Sequence, residues 1–160
     1  MDEQTEASRK VIADMVDALN RHVIDGQEQY WHADAPWRGP AGAGVKANLQ
    51  AFKDGWQRPF LNAFPDKRTT DQIRIAEGEF VGAMGIVEAT HQGEFMGIPA
   101  TGKPVTIRYM DFWQVKDGKI ADNWVLVDII DVCRQIGVDP LNGNGWDDRG
   151  AGWQPANDNG

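Results

Sequence analysis

The run VTIRYMDFWQVKDGKIADNWVLVDII, residues 105–130, decides the fold. Two stretches rich in β-branched and aromatic residues, 105–115 and 120–130, flank Asp117-Gly118, a dipeptide that tolerates the positive φ angles of a tight hairpin turn. The two strands are therefore antiparallel neighbours. Alternation sorts their side chains: Tyr109, Asp111 and Trp113 share one face of the first, and Trp124, Leu126, Asp128 and Ile130 one face of the second, with Asn123 opposite. We expect Trp113 and Trp124 to share a concave, helix-covered face, so that Asp111 and Asp128 look into one interior. A carboxylate within an apolar strand needs a partner or a task. For Asp128 the structural alternative is to satisfy backbone donors or to pair with Arg108 or Arg134; for Asp111 it is to pair with Arg74 or Arg108.

Upstream, the period is helical. Val11, Ile12, Met15, Val16, Leu19 and Val23 follow a polar start and predict an amphipathic helix that ends between His22 and Gly26. Residues 31–44 hold Pro36, Gly39, Pro40, Gly42 and Gly44 and read as a loop, with Trp31 and Trp37 too apolar to stand in water. A second helical stripe, Val45, Leu49, Phe52 and Trp56, is interrupted at Pro59 and extended by Phe60, Leu61 and Phe64. Strand patterns then cover 70–76, 80–91, 105–115 and 120–130. Helices followed by strands predict an α+β fold: a curved antiparallel sheet over 70–130 with the N-terminal helices on its concave face. The strand 120–130 is apolar on both sides. We therefore expect a homodimer through the convex face, covering Val125, Val127 and Ile129.

One domain is expected over 1–140, followed by a Gly-, Asn- and Asp-rich tail over 141–160 that contains Trp146 and Trp153. The formal net charge of −8 leaves no basic face for phosphates, so nucleic acid and membrane are not expected as partners. A lone Cys133 and an N-terminus unlike a signal peptide point to the cytoplasm.

The chain resembles the SnoaL-like polyketide cyclase family, within the nuclear-transport-factor-2-like or cystatin-like superfamily, from the first helix to Gly137. The resemblance is carried by His91-x-Gly93-Glu94-Phe95-x-Gly97-x-Pro99-x-Thr101-Gly102-Lys103, by Asp117-Gly118-Lys119-Ile120-x-x-Asn123-Trp124-x-x-x-Asp128, and by Gln135-Ile136-Gly137. It implies a cone-shaped cavity and a cofactor-free intramolecular aldol condensation on a hydrophobic polyketide ester, with the carboxylate matching Asp128 as acid/base. Desolvation raises a carboxylate toward working pH, as proton abstraction between two carbonyls requires. His91, Tyr109, Trp113 and Trp124 are candidate donors to the enolate, and Trp37 and Phe60 complete the pocket wall. Asp111 and His91 join Asp128 as candidate catalytic groups. Members of the family often carry Glu-His-Trp where this chain has Asp122-Asn123-Trp124.

No cofactor is expected. Residues 97–103 match the letters G-x-x-x-x-G-K, but Pro104 stands where a phosphate loop needs Ser or Thr. His22, His32 and His91 are too scattered for a metal site, and no glycine fingerprint follows a strand. Two other readings remain open: an isomerase or epoxide-type hydrolase in the same pocket, the latter using Asp111, Arg108 and Asp128, and a non-catalytic binding or dimerisation module.

Overall fold

The computed structural model describes residues 2–146, and the fold is α+β. Helix α1 (Glu3–Asn20) starts at Asp2, whose carboxylate accepts the Thr5 amide at 2.8 Å. Its buried positions Thr5, Ser8, Ile12 and Met15 follow helical spacing. Thr5 and Ser8 do more than fill space. The Gly78 amide donates to Thr5 Oγ1 and the Ser8 hydroxyl donates to the Gly78 carbonyl, both at 2.8 Å, fixing the helix across the sheet's first turn.

Of two short strands, β1 (Trp37–Arg38) lies in the stretch expected to be loop and β2 (Val45–Lys46) at the start of the stretch expected to be helical, where the helix begins only at Leu49 behind its Asn48 cap. A helical segment follows in three parts: α2 (Leu49–Phe52), a π-helical turn (Lys53–Gln57) and α3 (Arg58–Ala63). Pro59 does not break it. Pro has no amide to donate, and the wide turn just before it takes up the missing bond. The same segment carries a four-residue repeat of rings: Phe52 stacks on Trp37 and Trp56 on Phe60, while Trp37 meets Trp56 and Phe60 meets Phe64 at a tilt, all with centroids 4.9–5.0 Å apart.

The sheet continues with β3 (Arg68–Glu77), β4 (Phe80–Thr90), β5 (Pro104–Lys116) and β6 (Lys119–Val127). These four pair antiparallel, as expected, and β1 extends the sheet by lying parallel to β6, giving the order β2-β1-β6-β5-β4-β3. Asp117 and Gly118 turn the last hairpin with φ of 50° and 73°.

One residue beyond that turn changes the outcome. Lys116 faces Lys119 and Val115 faces Ile120, but Gln114 faces Asp122, because Ala121 is an extra residue on β6. An unbroken hairpin would oppose Asp111 to Trp124. The bulge instead opposes Trp113 to Asn123 and Phe112 to Trp124, so every later side chain of β6 changes face. Asn123, Val125 and Val127 turn inward, whereas Trp124 and Leu126 turn outward. This corrects the expected concave placement of Trp124 and the expected outward cover of Val125 and Val127.

The strand also ends earlier than 130. Asp128 caps helix α4 (Ile129–Gln135), accepting the Asp131 amide at 3.1 Å. Gly137, at φ 98°, closes that helix: its amide bonds the Arg134 carbonyl while the Val138 amide bonds that of Cys133. Of the proposed tail, Trp146 is fully exposed, and Trp153 lies outside the described residues.

Candidate active site

The concave face of the sheet, α1 and the helical segment enclose a cavity of about 120 Å³. At roughly 10–15 Å³ per water position, this is room for several waters, so the interior is not filled by its own side chains. Trp37, Trp56, Phe60 and Trp113 form apolar walls. The mouth is marked by the exposed His22 with Val23, Ile24 and Leu61, which are half-buried; the floor by the buried Trp113 and Asn123.

Polar groups reach this space from three strands. Alternation along β3 points Thr69 and Asp71 inward, and along β5 it does the same for Ile107, Tyr109, Asp111 and Trp113. Asp71 accepts the Tyr109 hydroxyl and is paired with Arg74, whose Nε lies 2.7 Å away. Burial first, then the Asp71 hydrogen bond, pushes the Tyr109 phenol upward and keeps it a donor.

Asp111 is different. It is half-buried on the cavity face and, among the described residues, has no cationic partner; its carboxyl accepts from the Asn123 amide, which also donates to the Phe112 carbonyl at 2.9 Å. Burial raises this carboxyl well above the ordinary carboxylate range, the Asn123 bond opposes that, and the nearby Asp71 charge adds to it. Such a group keeps its proton at pH values where an ordinary aspartate is ionised, and it can give or take one. Two further buried polar atoms of cavity-lining residues have no partner among the described residues: Trp31 Nε1, a donor, and Gln57 Oε1, an acceptor.

Of the expected site residues, Asp111, Trp37, Phe60, Tyr109 and Trp113 line the cavity. Asp128, His91 and Trp124 do not. Asp128 leaves the sheet as a helix cap and meets Arg108 at 2.5 Å with its side chain 32% exposed. This is the structural alternative weighed for it, and it holds Arg108 away from Asp111. His91 is buried beside Phe64, with Nδ1 accepting from the Thr101 amide at 3.3 Å; backbone bonds from His91 to Lys103 and from Gly102 to His91 tie it into the loop before β5. It packs a loop. Trp124 lies on the outer sheet face beneath the Arg38 guanidinium, 5.7 Å from its centroid. Asn123, Asp71, Gln57, Trp56 and Lys67 were missed as cavity residues. Asp71 was readable from β3 alternation with Thr69, and Trp56 from the Phe52-x-x-x-Trp56-x-x-x-Phe60 repeat; Asn123 was hidden by the bulge.

The family model of the SnoaL-like polyketide cyclases matches residues 9–136. Nogalonic acid methyl ester cyclase of Streptomyces nogalater is 29% identical over 144 residues, 88% of this chain and the whole of that protein. Among solved structures, IdmH, a polyketide cyclase candidate from Streptomyces antibioticus, is 27% identical with a TM-score of 0.72, covering 82% of this chain and 99% of its own. AclR, a candidate hydroxylase from Streptomyces galilaeus, is 26% identical with a TM-score of 0.75 over 85% of this chain and 84% of its own. The fold is thus shared with proteins named for more than one chemistry.

Proposed function

Because the chain belongs to the SnoaL-like polyketide cyclase family, we propose that its cavity closes a ring in a hydrophobic carbonyl compound by cofactor-free acid/base catalysis, with Asp111 handling the proton. The observation that carries this reading is a carboxyl with no cationic partner among the described residues, held by Asn123 and facing an aromatic cavity. In an intramolecular aldol condensation a carbon between two carbonyls loses a proton, the enolate carbon bonds to a second carbonyl carbon, and that oxygen gains a proton. Nothing is oxidised or reduced. One group that accepts the first proton and returns it to the oxygen balances the reaction, and a raised carboxyl suits both halves. In this proposal the Trp31 indole N–H donates to a substrate oxygen, Gln57 Oε1 accepts from a substrate hydroxyl, and the aromatic rings hold a planar substrate.

His91 and Asp128 support the frame in this proposal and take no part in proton transfer. The epoxide-opening alternative loses its support, since Arg108 sits with Asp128 and apart from Asp111. The test is Asp111→Asn, which keeps shape and removes the titrating proton. Turnover of a cyclisable aromatic β-dicarbonyl ester falls by on the order of 100-fold or more with little loss of binding. Unchanged turnover overturns the assignment.

The protein is proposed to act as a homodimer in the cytoplasm. On the outer sheet face Ile73, Met84, Met110 and Leu126 are successive cross-strand partners, and Phe112 lies beside Trp124; all six are exposed. A contiguous apolar face of this kind supports self-association. No helix among the described residues is long and apolar enough to cross a membrane.

A further inference from the structure

Lys67 and Lys53 are both lysines drawn into the protein, and they are treated in opposite ways. Lys53, buried in the π turn, is paired with Glu28 and with Asp25 at 3.2 Å. Two carboxylates meet one ammonium. Lys67 is half-buried just before β3, its side chain lines the cavity, and among the described residues no carboxylate lies within 4.0 Å of it. The chain has 24 acidic residues, so the lack of a partner does not come from a shortage of carboxylates.

The backbone at Lys67 is held in place. Its amide donates to the Phe64 carbonyl at 3.1 Å, and its carbonyl meets His22 Nε2 at 2.9 Å, joining the end of α1 to the start of β3. The Lys67 backbone is thus a fixed part of the cavity wall. We propose that Lys67 is the specificity-determining residue of the cavity: its ammonium holds an anionic oxygen of the substrate at the mouth while the reacting carbon lies against Asp111. This rests on the reading of the cavity as a polyketide site, and it names the substrate class: an aromatic polyketide carrying a carboxylate or an acidic phenol remote from the ring-closing carbon.

Burial lowers the Lys67 ammonium to about 8. Asp71 pairs with Arg74 and Asp111 with the Asn123 amide, and neither forms an ion pair with Lys67. A lone ammonium in an apolar wall is costly to desolvate, and an incoming anion recovers that cost where a neutral ester cannot. The backbone of Lys67 adjoins the exposed His22, so an anionic group held there stays near water in this proposal while the neutral rings enter the aromatic interior.

The experiment compares three planar probes of one size: anthraquinone-2-carboxylate, its methyl ester, and 1,2-dihydroxyanthraquinone as its phenolate. Binding to the full chain is followed by quenching of the cavity tryptophans. Wild type is expected to bind at least one anion about tenfold or more tighter than the ester. Lys67→Met removes that preference and leaves ester binding and thermal stability undiminished, whereas Lys67→Arg retains it. The carboxylate arm and the phenolate arm identify which oxygen is read. Equal binding of all three probes by wild type overturns the proposal, as does a preference that survives Lys67→Met. Ester binding by itself tests the cavity, so its loss in wild type overturns the cavity reading together with this one, while ester binding without an anion preference overturns this one alone.

Discussion

Asp111 and Asp128 come from the two arms of one hairpin and have opposite surroundings. Asp111 is turned into the sheet's concave side, faces the aromatic cavity, and meets an amide; Asp128 emerges past the end of β6, meets a guanidinium, and caps a helix. The difference teaches that an apolar sequence neighbourhood does not make a carboxylate a buried one. What decides is the face on which the backbone register sets the side chain, and whether the strand continues far enough to keep it there.

The largest expected effect separates the two by activity. Asp111→Asn is expected to lower turnover by on the order of 100-fold, and Asp128→Asn by no more than about twofold, because the second is not among the residues that line the cavity. Initial rates on the same substrate measure both. Equal losses would erase the distinction between the two faces.

The same pair shows how much was legible beforehand. The inward face of β5 was readable, since Tyr109, Asp111 and Trp113 alternate without interruption, and Asp117-Gly118 announced its partner strand. The face of Trp124 was not, because Ala121 forms a bulge without any residue preference that marks one. For Asp128 a signal existed: an Asp at the cap, Asp131 three residues on and Gly137 past the end bracket a helix, yet the apolar alternation of Val125, Val127 and Ile129 reads equally as strand. Lys67 carried no sequence signal, since a lysine before a strand is ordinarily solvated and only the tertiary packing at His22 and Phe64 brings it to the cavity.

A second contrast is in pH dependence. The Asp111 carboxyl is raised in the folded chain, so between its unfolded value, near 3.9, and its folded one the native state holds more protons than the unfolded state. Its contribution to stability is therefore fully present below about pH 4 and is lost as pH rises through the folded value, at a slope of at most about 1.4 kcal/mol per pH unit. Asp111→Asn removes that slope. Urea unfolding of wild type and variant from pH 4 to pH 8 should show the variant gaining on wild type as pH rises. A difference constant with pH would remove the assignment of a raised carboxyl.

A smaller effect is expected on the outer face. Leu126 stands beside Met110 and is directed away from the cavity, so Leu126→Lys should weaken self-association by about tenfold or more without altering turnover per chain. Sedimentation over a concentration series measures it. A wild-type chain that stays monomeric at high micromolar concentration eliminates the dimer.

The smallest expected effect falls on Asp128 itself and concerns stability. Asp128→Ala removes the cap that accepts the Asp131 amide, worth about 1 kcal/mol, and the pair with Arg108, which adds less than about 1 kcal/mol because both side chains meet solvent. Asp128→Ser keeps a capping oxygen and loses the charge, so it should recover most of the loss in denaturant midpoint. Turnover should stay within about twofold in both. If Asp128→Ser instead unfolds the protein as readily as Asp128→Ala, the ion pair outweighs the cap; if either variant folds normally and loses turnover as Asp111→Asn does, the proton is handled at the helix cap and the cavity carboxyl is structural.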